Sequence, residues 1–117
     1  MSIEHVLAVV PVSDLDAART WYQTLFARPA DNNPMPSLAE WQVVPGGWVQ
    51  VWVDADRCGS GLLNFAVDDL RAAVDAAAAG GLNPGEIQDV NKGVQLSTLH
   101  DPDGNMVCLI GNFRVEY

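Results

Sequence analysis

The sequence predicts an α+β fold in which paired βαβββ modules form curved mixed sheets around a cleft, with the helices outside. Three observations predict it: a strand-like run precedes each of two helix-like segments, several short strands follow each helix, and the two halves resemble each other. Residues 12–18 align without gaps on residues 67–73, with five of seven residues identical. A repeated unit of this kind cannot bury its apolar face alone. We therefore expect a single domain over residues 1–117, made of module one (about 1–55) and module two (about 59–113).

Module one is expected to begin with a strand followed by a helix. Residues 5–12 are apolar and largely β-branched, which is typical of a strand. Ser13 or Asp14 can cap the helix that follows, and Ser13 with Asp16 has the form of a capping box. Apolar residues then recur at helical spacing, which predicts a helix of about 13 residues that ends near the Arg-Pro pair at 28–29.

The rest of module one is expected to be a loop and a hairpin. Residues 29–37 hold three prolines, so we expect a loop there with at most one short strand. Residues 41–44 and 48–53 are expected to pair around the Pro-Gly-Gly turn at 45–47. Because side chains alternate along a strand, the second strand turns its valines to one side. The other side then carries Trp48, Gln50 and Trp52.

Module two is expected to repeat this order after a linker at residues 54–60. Asp68 and Asp69 can cap a second helix over residues 70–79, which is rich in alanine and is stopped by two glycines. The remaining expected elements are strands at 61–67, near 86–88, at 94–100 and at 106–110, with a tight turn at 101–104.

Composition and charge limit the possible partners. The chain has 6 Lys and Arg against 15 Asp and Glu, a formal net charge of −9. This balance argues against binding nucleic acid, which needs cations to neutralise phosphates, and against docking on an anionic membrane surface. A hydrophobic fraction of 49% with 18% charged residues is typical of a globular protein. Small molecules or further copies of the chain are the expected partners.

The first residues and the cysteines favour a cytoplasmic location. Residues 1–12 have no basic start and no small-residue cleavage site after the apolar run. No stretch approaches the roughly 18 apolar residues that a membrane span requires. Cys58 and Cys108 lie fifty positions apart with no CxxC spacing, so we expect reduced thiols rather than a disulfide framework.

The vicinal oxygen chelate superfamily is the family that this chain resembles, through HVLAVVPVSDLDAARTWYQTLF, the repeated helix start VDDL, and DPDGNMVCLI. The superfamily includes glyoxalase I, extradiol dioxygenases, fosfomycin-resistance transferases and bleomycin-resistance proteins, and the resemblance extends over almost the whole chain. It implies paired βαβββ modules, a homodimer, and pockets inside the curved sheets.

The resemblance also implies where a metal ion would bind in the catalytic members. About three His, Glu or Gln side chains there hold one divalent ion and leave positions open for substrate oxygens. The matching positions in this chain are Leu7, Gln50, Leu62 and Cys108. Two of them have no donor atom, so we expect no metal and no other cofactor. His5 and His100 are not at the family's ligand positions, and whether either binds a metal stays open.

Where the catalytic members of the family have a metal site, we expect a ligand-binding surface in this chain. Trp48, Gln50 and Trp52 share a strand face, and indoles offer flat apolar area beside the donor and acceptor of an amide. Leu7, Leu62, Asn64, Met106 and Cys108 are expected to complete the lining, with Trp41 as a further candidate. Such a lining suits a flat or hydrophobic organic molecule. The alternative is that the tryptophans only fill space between the sheets or at a dimer interface.

Three functions follow from these expectations. The first is a metal-free small-molecule binding protein similar to the bleomycin-resistance branch, with no catalytic residues. The second is an enzyme: either a metal-dependent lyase, isomerase or dioxygenase of the glyoxalase type with non-standard ligands, or a metal-free catalyst that uses Cys108. The third is a structural or interaction subunit whose cleft is filled by its own side chains. We favour the first.

Overall fold

Each module folds into its own four-stranded sheet and one helix in the computed structural model, which describes residues 1–113. Module one contains β1 (Val6–Val12), α1 (Leu15–Phe26), β2 (Asn32–Met35), β3 (Leu38–Val44) and β4 (Gly47–Val53). Module two contains β5 (Leu62–Ala66), α2 (Leu70–Ala79), β6 (Gln88–Asn91), β7 (Val94–His100) and β8 (Met106–Gly111).

The two sheets have the same topology. Sheet one has the strand order β1-β4-β3-β2, and sheet two has the order β5-β8-β7-β6. In each sheet the first strand pairs with the last in parallel, and the other pairs are antiparallel. The predicted α+β class, with two βαβββ modules and mixed sheets, is therefore confirmed.

The helix starts are fixed by aspartates. Asp14 Oδ1 accepts a hydrogen bond from the backbone N–H of Ala17 at 3.2 Å, and Asp69 does the same for Ala72 at 3.0 Å. The predicted capping box with Ser13 is wrong. The Ser13 hydroxyl instead donates to Oδ1 of Asp103 at 2.6 Å, because an aspartate one position later already satisfies the helix end.

Two strand boundaries differ from the sequence prediction, and one allowed strand is present. The proline-rich segment does contain the one short strand that was allowed, β2, and its prolines are tolerated because β2 lies at the edge of the sheet. The next strand, β3, begins at Leu38 rather than at Trp41, so the hairpin has a longer first arm. The strand expected near residues 86–88 lies at Gln88–Asn91.

One continuous hydrophobic core holds both modules together. Side chains from the inner faces of both sheets and from both helices contribute to it, among them Val10, Tyr22, Val51, Val74 and Val107. The rings of Phe26 on α1 and Phe65 on β5 meet edge to face with their centroids 5.8 Å apart. Because this core covers only one face of each sheet, the opposite faces are left open.

Two further observations concern the described residues. None of the helices within residues 1–113 has both the length and the apolar character needed to cross a lipid bilayer. The thiols of Cys58 and Cys108 are both free, as the sequence spacing predicted.

Candidate functional site

The open surface of sheet one is a three-by-three arrangement of side chains, which we call face one. It consists of Leu7, Val9 and Pro11 on β1, Trp48, Gln50 and Trp52 on β4, and Leu38, Glu40 and Gln42 on β3. Gln50 lies at the centre, with Val9 opposite on one side and Glu40 opposite on the other. Leu7 is 52% exposed and Val9 is 54% exposed, whereas Leu38 at the opposite corner is 3% exposed. No residue among 1–113 therefore covers the β1 side of this surface.

A carboxylate stands next to the central amide. Gln50 Nε2 donates to Oε2 of Glu40 at 2.8 Å, and Asn32 Nδ2 donates to the other oxygen, Oε1, at 3.2 Å. The bond from Nε2 orients the Gln50 carboxamide and leaves its oxygen, Oε1, available to a ligand. The sequence analysis missed Glu40 because the expected strand began one residue later, at Trp41. Alternation from Gln42 back along β3 could have found it.

The first indole of face one is held by a histidine. Trp48 Nε1 donates to Nδ1 of His5 at 3.1 Å, from just before β1. This bond uses the indole N–H and the acceptor position at Nδ1 of the imidazole. His5 therefore positions Trp48 in this structure.

A hollow of about 560 Å³ adjoins the second indole. Val9, Pro11 and Trp52 of face one line it together with Gly61 and the linker residues Asp54, Arg57 and Ser60. Arg57 Nε lies 3.6 Å from Oδ2 of Asp54 and its side chain is largely exposed. The volume is within the range of small-molecule sites, about 300–1,000 Å³. The linker residues were not predicted, since nothing in a seven-residue loop indicates on which side of the sheet it folds.

The open surface of sheet two, which we call face two, carries the other predicted lining residues. It consists of Leu62, Asn64 and Ala66 on β5, Met106, Cys108 and Ile110 on β8, and Leu96, Thr98 and His100 on β7. Leu62 is 61% exposed. At the centre, Cys108 Sγ lies 3.6 Å from Oγ1 of Thr98. The predicted set is thus divided between two surfaces, with Leu7, Trp48, Gln50 and Trp52 on one and Leu62, Asn64, Met106 and Cys108 on the other.

The expectation that Trp41 lines the same surface is wrong. Trp41 pairs with Val49, whose side chain points into the core, so the tryptophan has the same orientation and is 0% exposed. Its Nε1 donates to the backbone carbonyl of Arg28 at 3.0 Å. The three tryptophans were grouped because they are close in sequence, but closeness in sequence does not show on which side of the sheet each one lies.

A second hollow of about 370 Å³ lies on the core side, between the helices. Phe26, Phe65 and three alanines of α2, namely Ala73, Ala76 and Ala77, are among its lining residues. The only polar side chain among its lining residues is Thr24, and the hydroxyl of Thr24 already donates to the carbonyl of Thr20. It is a competing location that a binding experiment must separate from face one.

The side chains at the family's metal positions do not fit a divalent ion. Leu7 and Leu62 have no donor atom, which leaves only the Gln50 amide oxygen and the Cys108 thiol, and these lie in two different sheets. Within residues 1–113 no group of three or more His, Cys, Asp or Glu side chains is placed to hold an ion. Metal-assisted chemistry needs such a convergent set, so no reaction step through a metal follows from these residues.

Similarity to known proteins agrees with this architecture. A family model for the glyoxalase-like domain matches residues 7–110. A glyoxalase/bleomycin resistance protein from Catenulispora acidiphila is 26% identical with a TM-score of 0.85, covering 92% of this chain and 96% of that one. TnmS3, an antibiotic binding protein from Streptomyces sp. CB03234, is 22% identical with a TM-score of 0.76, covering 95% and 98%.

A lactoylglutathione lyase from Agrobacterium tumefaciens has the same fold at 18% identity, with a TM-score of 0.77 and 92% of each chain covered. No curated protein matches the sequence significantly. The family match spans almost the whole chain, and both the sheet topology and the repeat agree with the resemblance to the vicinal oxygen chelate superfamily. The chain therefore belongs to the glyoxalase-like domain family.

Proposed function

We propose that this protein is a metal-free small-molecule binding protein that holds an aromatic or hydrophobic ligand against face one. The observation that carries the proposal is the placement of Trp48 and Trp52 on either side of the Gln50 amide, next to a hollow of about 560 Å³. Two indoles supply flat apolar contact area, and the amide supplies one orienting polar contact. The structural neighbour TnmS3, an antibiotic binding protein, is consistent with a binding role for this fold.

Homodimer formation is a second part of the proposal. The apolar side chains Leu7 and Leu62 are more than half exposed, and Met106 is 38% exposed. Open apolar surfaces of this kind mark ligand or protein contacts. A second copy that lays its face two over face one would enclose the ligand between the two surfaces, and it would bring the two groups of predicted lining residues together.

Thermal unfolding with a panel of two-ring and three-ring aromatic compounds tests the binding function. A ligand that binds only the folded protein at about 100 times its Kd raises Tm by on the order of 10 °C for a domain of this size. Calorimetry then locates the site: W52F should weaken binding of any hit, and W21F, the same change on α1, should not. A76L, which fills the second hollow, is the control for binding between the helices.

Metal dependence is tested on the same material. We expect Tm and ligand affinity to be unchanged after dialysis against a chelator and after addition of Zn²⁺, Mn²⁺, Ni²⁺ or Fe²⁺. Stoichiometric metal in protein purified without a tag, lost in H5A or H100A, would contradict the metal-free proposal. A panel in which no compound raises Tm would contradict the binding function.

A further inference from the structure

The carboxylate of Glu40 forms no ion pair with any cation among residues 1–113. Its two carboxylate oxygens accept hydrogen bonds from the neutral amides of Gln50 and Asn32. The three ion pairs among residues 1–113 involve Asp16, Asp31 and Asp54 instead. A half-buried carboxylate with two neutral partners has acceptor positions to spare, so a positive group of a ligand can approach it.

The internal repeat shows that the module fold does not need this carboxylate. Gln50 pairs with Glu40 in sheet one as Cys108 pairs with Thr98 in sheet two. The neutral Thr98 therefore occupies the equivalent position, in a strand of the same length and topology. Since removing a charge from water costs free energy, a carboxylate that the fold does not require at this place points to a ligand.

The aromatic side chains follow the same asymmetry. Trp48 and Trp52 lie two positions before and after Gln50, and their counterparts in sheet two are Met106 and Ile110. Indole faces attract cations through the ring quadrupole, and tryptophan does so most strongly. Only face one combines two indoles with a carboxylate, so only this face has the chemistry of a cation site.

We propose, building on the function proposed above, that the ligand of face one is an aromatic cation whose positive nitrogen lies beside Glu40. Its ring system contacts the indoles of Trp48 and Trp52 and extends into the hollow of about 560 Å³. Arg57 is among the residues that line that hollow and Glu40 is not, so the positive end of the ligand is directed away from Arg57 and towards Glu40. The net charge of −9 raises the local concentration of such a ligand.

A pair of probes with the same shape and different charge tests this assignment. 1-Methylquinolinium is a permanent cation, and 1-methylnaphthalene is its neutral counterpart of nearly equal size. Equilibrium dialysis of the full chain at pH 7.5 should show the cation binding about fivefold or more tightly, the range expected for cation–π and partly exposed ion-pair contacts. The affinity for the cation should fall with added NaCl, and that for the neutral probe should not.

Three variants locate the charge effect. E40Q keeps a group that can bond to Gln50, and E40T copies Thr98 of module two; both should reduce the affinity for 1-methylquinolinium about fivefold and leave 1-methylnaphthalene unchanged. D75N removes an equal charge from the exposed side of α2 and should change neither affinity. Far-ultraviolet circular dichroism confirms that each variant is folded.

The outcomes separate this proposal from the one on which it rests. Equal affinities for the two probes, or an equal fall in both affinities in E40Q, would overturn the cation assignment. If W52F then lowered both affinities, the proposed binding function of face one would still stand. Binding of neither probe to the unchanged protein would overturn both proposals for two-ring ligands.

Discussion

The hydroxyl of Tyr22 donates a hydrogen bond to Oδ2 of Asp101 over 2.9 Å, across 79 positions of the sequence. Tyr22 lies on α1 of module one and is 0% exposed, and Asp101 follows β7 of module two and is 5% exposed. Asp101 also accepts hydrogen bonds from the backbone and the side chain of Asn105. A buried carboxylate held by several donors therefore links the two modules.

Removing the Tyr22 hydroxyl should destabilise the protein. Y22F keeps the ring in the core but leaves Asp101 with one donor fewer in a buried place, which costs about 1–3 kcal/mol. Urea unfolding measures the change. S13A is a matched control, because it also deletes a hydroxyl that bonds across the modules, to Asp103, but at an exposed position. Its cost should be below about 1 kcal/mol, and equal costs for both variants would contradict the role assigned to burial.

Alkaline pH should weaken the fold through the same tyrosine. Burial, and then the negative charge of Asp101, raise the pKa of Tyr22 far above its usual value of 10.0. The folded protein therefore keeps the proton at a pH where the unfolded chain loses it. The contribution of the protonated Tyr22 hydroxyl to the free energy of unfolding is fully present below pH 10. Above pH 10 the free energy of unfolding falls by about 1.4 kcal/mol per pH unit. The difference in unfolding free energy between the unchanged protein and Y22F isolates this effect, and should shrink between pH 9.5 and 11.5.

Sequence patterns predicted the repeat and the orientation of β4, because both depend on local regularities. The valines of Gly47–Val53 alternate strictly with Trp48, Gln50 and Trp52, and a period of two places these two sets on opposite faces. The helix start at Asp69 was equally local, since a cap contacts an N–H three residues away.

The parts that sequence analysis missed depend on where a strand begins and on contacts between distant segments. Because β3 begins at Leu38 and pairs in register with β4, Glu40 lies on face one and Trp41 lies on the core side. Arg57 reaches the site only because the linker folds back beside β1. Asn105 follows the predicted turn at 101–104 and was assigned no role, yet it is 1% exposed and bonds to residues of both modules. No local pattern records which residues a fold brings together across 40 positions or more.

Asn105 is expected to be among the most sensitive polar positions. Its Oδ1 accepts from the N–H of Gly61 at 2.7 Å, and its Nδ2 donates to the carbonyl of Pro11 at 2.8 Å. N105A leaves these backbone groups without partners, and we expect a loss of about 2–4 kcal/mol in urea unfolding. N33A removes an exposed asparagine with one backbone contact, to the carbonyl of Met35, and should cost less than about 1 kcal/mol. A loss in N105A no larger than that in N33A would contradict this assignment.

The tryptophans should differ in their fluorescence. Trp41 is buried at 0% exposure and Trp52 is 36% exposed. W41F should remove blue-shifted emission that acrylamide does not quench, and W52F should remove red-shifted emission that it does. W41F also loses the hydrogen bond to Arg28 and part of a packed ring, so it should cost about 2–4 kcal/mol in urea unfolding. W52F should cost well under half of that. Strong quenching of Trp41 would contradict its placement in the core.

A charge on face two should separate the proposed homodimer without unfolding the chain. Leu62 is 61% exposed within one chain, so L62E should change the unfolding free energy of the isolated chain by no more than about 0.5 kcal/mol. If a second copy covers Leu62, the carboxylate is desolvated in the interface without a partner, which costs several kcal/mol per site. A dimer has two such sites by symmetry, so sedimentation equilibrium should show the unchanged protein as a dimer and L62E as a monomer. V90E places the same charge on the edge strand β6, where Val90 is 52% exposed, and should remain dimeric. An L62E protein that still sediments as a dimer would show that the two copies meet at another surface. Burying two unpaired carboxylates would shift the monomer–dimer equilibrium towards the monomer.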